Sequence, residues 1–171
     1  MSQTKAAIES AMKDLRALSA DIELPDIASL SIDTIAQRVV RDFNMKTGVV
    51  VDLEVPNQHV QASLRDKIAI YRVLQESLAN IYRHAPNVAC HVMLKARANS
   101  LILEISDKGP GFDPQAALKK KRLGLAGMRQ RIEVLGGSFQ LITTLGAGTT
   151  VLVTLPIIDI DLDDDIEDSN E

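Results

Sequence analysis

The chain has 171 residues, 46% of them hydrophobic, which is enough for one buried core and fits a single domain. A formal net charge of -4, a pI near 5.4, 3% aromatic residues and no Trp argue against nucleic-acid binding through bulk charge or base stacking. Cys90 is the only cysteine, which rules out an internal disulfide framework or a cysteine zinc site; its apolar neighbours point to a buried, inert thiol in a reducing cytoplasm. The opening "MSQTKAAIES" lacks a signal-peptide pattern and no apolar run reaches membrane-span length, so the chain reads as soluble, without membrane contact of its own.

Residues 3–20 place Ala7, Ile8, Ala11, Leu15 and Leu18 at helical spacing, forming one narrow apolar stripe that needs a partner. Pro25 breaks this pattern. A second amphipathic run follows through Ile32, Ile35, Ala36, Val39, Val40 and Phe43 and closes near Gly48. "GVVVDLEV" reads as a strand ended by Pro56, and Val60 to Ala85 is the longest helical pattern, stopped by Pro86 and Asn87. "VACHVMLKARA" and "SLILEIS" form a strand pair with a hairpin junction at Asn99 and Ser100. "DKGPGFDPQAALKKKRLG" is a long loop, "LAGMRQRIEVLGG" a helix closed by a glycine pair, and "SFQLITT" and "TTVLVTLP" two strands around "LGAG". The acidic stretch "IIDIDLDDDIEDSNE" is expected to be a disordered tail. The expected fold is α+β, a two-layer sandwich in which about five strands form a mixed, mainly antiparallel sheet with helices on one face.

Within the long helix, "QESLANIYRHA" puts Leu74, Leu78, Ile81, Tyr82 and Ala85 on an expected core face and Arg72, Glu76, Asn80, Arg83 and His84 opposite. Alone, that polar row reads as a wet surface. The alternative is a site: an acid and an amide oxygen one turn apart suit hydrated Mg²⁺, and the acid can also orient a nucleophile. In "DKGPGFD", Asp107 stands at a strand end, where a carboxylate can accept from an exocyclic amine, and Gly109 and Gly111 allow a flat ring close to the backbone. Gly124 and Gly127 open a helix, where free N–H groups favour phosphate. Between them Lys119, Lys120, Lys121 and Arg122 are either a solvated charge run or a basic flap over a polyphosphate.

In this order "QESLANIYRHA", "DKGPGFD", "RLGLAGMRQRIEVLGG" and "GAGTTVLVTLP" resemble the N, G1, G2 and G3 boxes of the ATPase superfamily of gyrase, the heat-shock chaperone, histidine kinases and mismatch-repair proteins. The last two are most similar to those of nitrate-sensing and membrane-fluidity-sensing bacterial histidine kinases. The resemblance implies a Bergerat-type ATP-binding fold and the cofactors ATP and Mg²⁺. It implies that Asn80 holds the metal, that Glu76 is the catalytic acid near metal-bound water and phosphates, and that Asp107 receives the adenine amino group. Gly109 and Gly111 would line the base and Thr149 would support it. Lys119, Lys120, Arg122, Gly124 and Gly127 would lie at the phosphates, with Arg83 and His84 near ribose and phosphate. Lys108 and Arg122 depart from the family pattern, which commonly has Asn and Gly there.

His59, His84 and His91 occupy a connector, the binding helix and a strand, so none suits a phosphoacceptor. The resemblance therefore implies a catalytic domain at 25–157, preceded at 1–24 by part of a dimerisation hairpin's second helix and followed by the acidic tail at 158–171. Its partners would be the dimerisation/phosphoacceptor domain and a response regulator, in the cytoplasm. Two other readings are a stand-alone kinase of the anti-sigma-factor serine type and a nucleotide-sensing module without turnover.

Overall fold

The computed structural model describes residues 27–57, 59–97, 99–113 and 123–156. The elements are α1 (Ile32–Thr47), β1 (Val51–Glu54), α2 (Leu64–His84), β2 (Cys90–Arg97), β3 (Ser100–Asp107), α3 (Leu123–Val134), β4 (Ser138–Thr143) and β5 (Thr149–Pro156). The five strands form one sheet in the order β1-β2-β3-β5-β4. β1 and β2 are parallel, joined by the α2 crossover, and the other pairs are antiparallel. The α+β, two-layer expectation matches this architecture. The expected helix over 3–20, the basic run 119–122 and the acidic tail lie outside the described residues.

Strand alternation explains the two layers. Cys90, Val92 and Leu94, Leu101, Leu103 and Ile105, and Val151, Val153 and Leu155 are all buried on one face, with Phe139 from β4. Against them α1 lays Ile32, Ile35, Ala36, Val39 and Val40, α2 lays Ile70, Val73, Leu74, Leu78 and Ile81, and α3 lays Met128 and Ile132. Cys90 is buried, and burial, with the Asp107 carboxylate facing it, pushes its thiol up to about 11, so it is inert at neutral pH.

Several element ends differ from the sequence reading for local reasons. α2 begins at Leu64 rather than Val60 because Ser63 caps it: its Oγ accepts from Asp66 N–H at 3.2 Å and donates to Asp66 Oδ2 at 2.6 Å. β1 starts only at Val51, since Gly48 is spent as the left-handed cap of α1 (φ 73°), donating to Asn44 O. Tyr82, expected in the core, is 50% exposed; its ring meets only Phe43, edge-on at 6.3 Å.

Residues 27–31 are fastened to the connector before α2. Lys67, 5% exposed, donates from Nζ to Ala28 O at 2.9 Å, and Ile32 N–H donates to Val60 O at 3.0 Å. Asp33, buried, accepts from Val60 N–H at 3.1 Å and lies 2.8 Å from His59 Nδ1. Burial pushes the Asp33 carboxyl up, but hydrogen bonds from Ser31, His59 and the Val60 backbone outweigh it and hold its pKa below the ordinary value. A depressed folded-state pKa contributes stability that is fully present above the unfolded value, near pH 4, and is lost as pH falls through the folded one. Urea unfolding at pH 7 and pH 3 should therefore show the parent losing more stability on acidification than Asp33→Asn does. Equal losses would remove Asp33 from the acid response.

Candidate functional site

The site is built along the polar side of α2, where two later segments come down on it. At the C-terminal end the β3 strand hands over to the glycine loop. Asp107 Oδ1 accepts from Gly109 N–H at 2.8 Å, closing a tight turn, and Lys108 N–H donates to Ala89 O at 3.1 Å. Gly109 is packed so closely on Ala85 and the Asp107 carboxylate that a Cβ there would overlap both. The missing side chain thus sets how near the loop comes to the end of α2.

At the other end of the row, the start of α3 meets Glu76. A Cβ on Gly124 would run into the Glu76 carboxylate, whereas one on Gly127 would meet nothing within 4 Å. Ser77 Oγ lies 3.6 Å from Met128 Sδ, so the two helices are also joined beneath this contact. Nine residues separate Glu76 from Ala85, about 14 Å of helix. Asn80 lies between them, half-buried, with its Oδ1 accepting from Arg83 Nη1 at 3.3 Å. Arg83 and His84 are exposed on the last turn of α2.

The third wall comes from β4 and β5. Thr149 sits opposite both Asp107 and Thr143 in the ladders. Thr143 Oγ1 accepts from Phe112 N–H at 3.1 Å, donates to Gly148 O at 3.0 Å and lies 3.3 Å from Thr149 Oγ1. Gly146 N–H donates to Pro110 O at 2.7 Å. The glycine loop is therefore held by the β4–β5 turn, through Thr143, Gly146 and Gly148, as well as by its own strand.

Of the residues singled out in the sequence, Glu76, Asn80, Asp107, Gly109, Gly111, Gly124 and Thr149 are brought to this one trough, with Arg83 and His84 at its rim. Gly127 is on the same helix as Gly124 with open space at its Cα. Lys119, Lys120 and Arg122 lie outside the described residues. Thr143, Ala85 and Met128 were missed. Thr143 had a faint signal, a second hydroxyl at the mouth of the "LGAG" turn, but its role depends on strand register.

The donor set offers Glu76 and Asn80, two oxygen ligands one turn apart, and among the described residues there is no group of three or more His, Cys, Asp or Glu that could hold a metal ion by themselves. This suits a cation that keeps most of its shell as water and ligand phosphate rather than one in an all-protein cage.

The profile of the family described as "Histidine kinase-, DNA gyrase B-, and HSP90-like ATPase" matches residues 65–159, more than half of the chain. The chain belongs to this family. It is 28% identical over 150 residues to the signal transduction histidine-protein kinase/phosphatase DegS of Brevibacillus brevis, covering 88% of this chain and 39% of that protein. With the oxygen sensor histidine kinase NreB of Staphylococcus carnosus it shares 29% identity over 146 residues, 85% of this chain and 42% of the relative. The chain thus spans about two fifths of the length of these relatives. In fold it is similar to the histidine kinase domain of the Erythrobacter litoralis EL346 blue-light activated kinase, with a TM-score of 0.64, 20% identity, and coverage of 80% and 67%. Acinetobacter baumannii AdeS also gives a TM-score of 0.64, at 21% identity and coverage of 89% and 79%. As a member of the family, the chain has the sheet and helix layers that the four sequence boxes implied.

Proposed function

We propose that this chain is the ATP–Mg²⁺-binding catalytic domain of a two-component sensor histidine kinase, passing the γ-phosphoryl of ATP to a histidine on a dimerisation domain. One observation carries the reading: the glycine loop at Ala85 and the start of α3 at Glu76 converge on α2 with Asn80 between them. That places a base-reading carboxylate at one end of a trough and a helix start at the other, an arrangement suited to an extended nucleotide. The kinase relatives add the reaction class.

In this reading Asp107 accepts the adenine amino group, with Gly109 and Gly111 beneath the ring and Thr149 beside it. Gly124 and Gly127 offer backbone to the phosphates, Lys119, Lys120 and Arg122 add positive charge over them, and Arg83 and His84 border ribose and phosphate. Glu76 orients water or the attacking nitrogen, and Asn80 ligates Mg²⁺ through Oδ1. When bound, Mg²⁺ compensates phosphate charge. The protein's own contribution is positioning: a rigid floor on α2 and a fixed base site hold the γ-phosphorus in line with an incoming imidazole. The partners are a dimerisation/phosphoacceptor domain, for which residues 1–24 supply part of a second helix, and a response regulator, with 25–157 as the catalytic unit, 158–171 as a tail and a cytoplasmic setting. Among the described residues no helix is long and apolar enough to cross a membrane.

The test is nucleotide binding followed by transfer. Fluorescent ATP should bind the chain in a Mg²⁺-dependent way, and Asn80→Ala should weaken that binding roughly tenfold or more while leaving the metal-free affinity close to the parent's. Phosphoryl transfer to an added acceptor hairpin should fall with it. Unchanged Mg²⁺-dependent affinity in Asn80→Ala would remove Asn80 from the metal.

A further inference from the structure

Away from the trough, α1 and the edge strand β1 enclose an open groove of about 720 Å³. Its floor is apolar, made by Leu30, Val40, Val51, Leu53 and Met45, and Arg38 and Arg41 stand along it. Met45 is 79% exposed, and Val50 beside the groove is exposed too. An apolar trench along a surface helix is a seat for a second amphipathic helix.

We infer that this groove is the docking site of residues 3–20 of the same chain, which fold back along α1 as an antiparallel helix. The occupant follows from where the chain enters. Ile27 is buried in the core and Leu30 lines the groove, so the polypeptide before residue 27 arrives at this very face. Only residues 19–26 separate the apolar stripe from that point, and connections of this length join antiparallel neighbours.

The lengths match as well. Ile8 to Leu18 spans about 15 Å as a helix, and Thr34 to Met45 along the groove spans about 16 Å. Laid antiparallel, Leu18 falls level with Thr34, Leu15 with Arg38, Ala11 with Arg41 and Ile8 with Met45, so each stripe residue has a groove position opposite it. Asp14 comes level with Arg38, giving that guanidinium a carboxylate. The stripe can serve only one partner at a time. If, as proposed above, it also belongs to a dimerisation bundle, docking on α1 withdraws it from that bundle and the two arrangements compete; the docking itself does not depend on that assignment.

A cysteine pair in the full chain reads the contact directly, because native Cys90 is buried and does not compete. Ile8→Cys with Met45→Cys should oxidise to an intramolecular disulfide at least about tenfold faster than Ile8→Cys with Ile142→Cys, the latter on the far edge strand β4. Adding Leu15→Asp should abolish the difference. Equal rates for the two pairs, or an advantage that survives Leu15→Asp, would overturn the docking. Disulfide-linked dimers from the 8/45 pair would assign the groove to a second copy and overturn the intrachain contact. None of these outcomes touches ATP binding, which tests the proposed function separately.

Discussion

Asp107→Asn is expected to raise the dissociation constant for ATP roughly a hundredfold while leaving the fold nearly as stable as the parent's. Asp107 Oδ1 accepts from Gly109 N–H at 2.8 Å, and asparagine keeps an oxygen for that bond. The change falls on the second position, where an acceptor becomes an NH₂ donor. In the proposed pose it would face the adenine amino group, so a charge-assisted hydrogen bond is replaced by two opposed donors. Losing a hydrogen bond to a charged group costs about 1.5–3 kcal/mol, and about 2.8 kcal/mol corresponds to a hundredfold in affinity. Calorimetric titration with ATP, paired with a urea melt, separates the two effects. A stable variant that binds ATP like the parent would exclude the carboxylate from base recognition. Loss of stability and binding together would instead show that the loop itself depends on the charge.

The parts of this molecule that the sequence made legible are those governed by one element's own periodicity. Apolar spacing located all three described helices, and alternation in β2, β3 and β5 named the buried residues correctly, because a strand facing helices on one side has only two choices. Glu76 and Asn80 could be placed on one helix side for the same reason. What was not legible depends on contacts between distant segments. Thr143 binds Phe112 and Gly148 only because β5 lies between β3 and β4, an order no local pattern encodes. Lys67 reads as a solvent-facing charge in "LRDKIAIY", yet its stem is buried and its ammonium reaches Ala28 O. Tyr82 fits the apolar period, but at the last turn of α2 only the edge of Phe43 is there to cover it.

The interlocking of the glycine loop with the β4–β5 turn leads to the largest expected effect on stability. Gly148 has φ 78° and is buried, and a Cβ there would overlap the Asp107 carbonyl and crowd Lys108 Cα. Both obstacles are backbone. They can yield only if β3 and β5 part at the point where Asp107 faces Thr149. Gly148→Ala should therefore incur about 1–2 kcal/mol for the left-handed conformation and about 1–3 kcal/mol for overpacking. The sum, about 2–5 kcal/mol, is a large share of a typical domain's stability. Gly146 is the internal control. Its φ of 81° is equally left-handed, but a Cβ there meets nothing within 4 Å, so Gly146→Ala should show the conformational cost alone. Urea midpoints of the two variants, compared at constant m, give the difference. If they fall together, backbone conformation accounts for both and the close approach of Gly148 to Asp107 contributes nothing. If Gly148→Ala falls further, the β4–β5 turn is what holds the Asp107 end of β3 in place. ATP affinity should then drop in that variant and hold in Gly146→Ala.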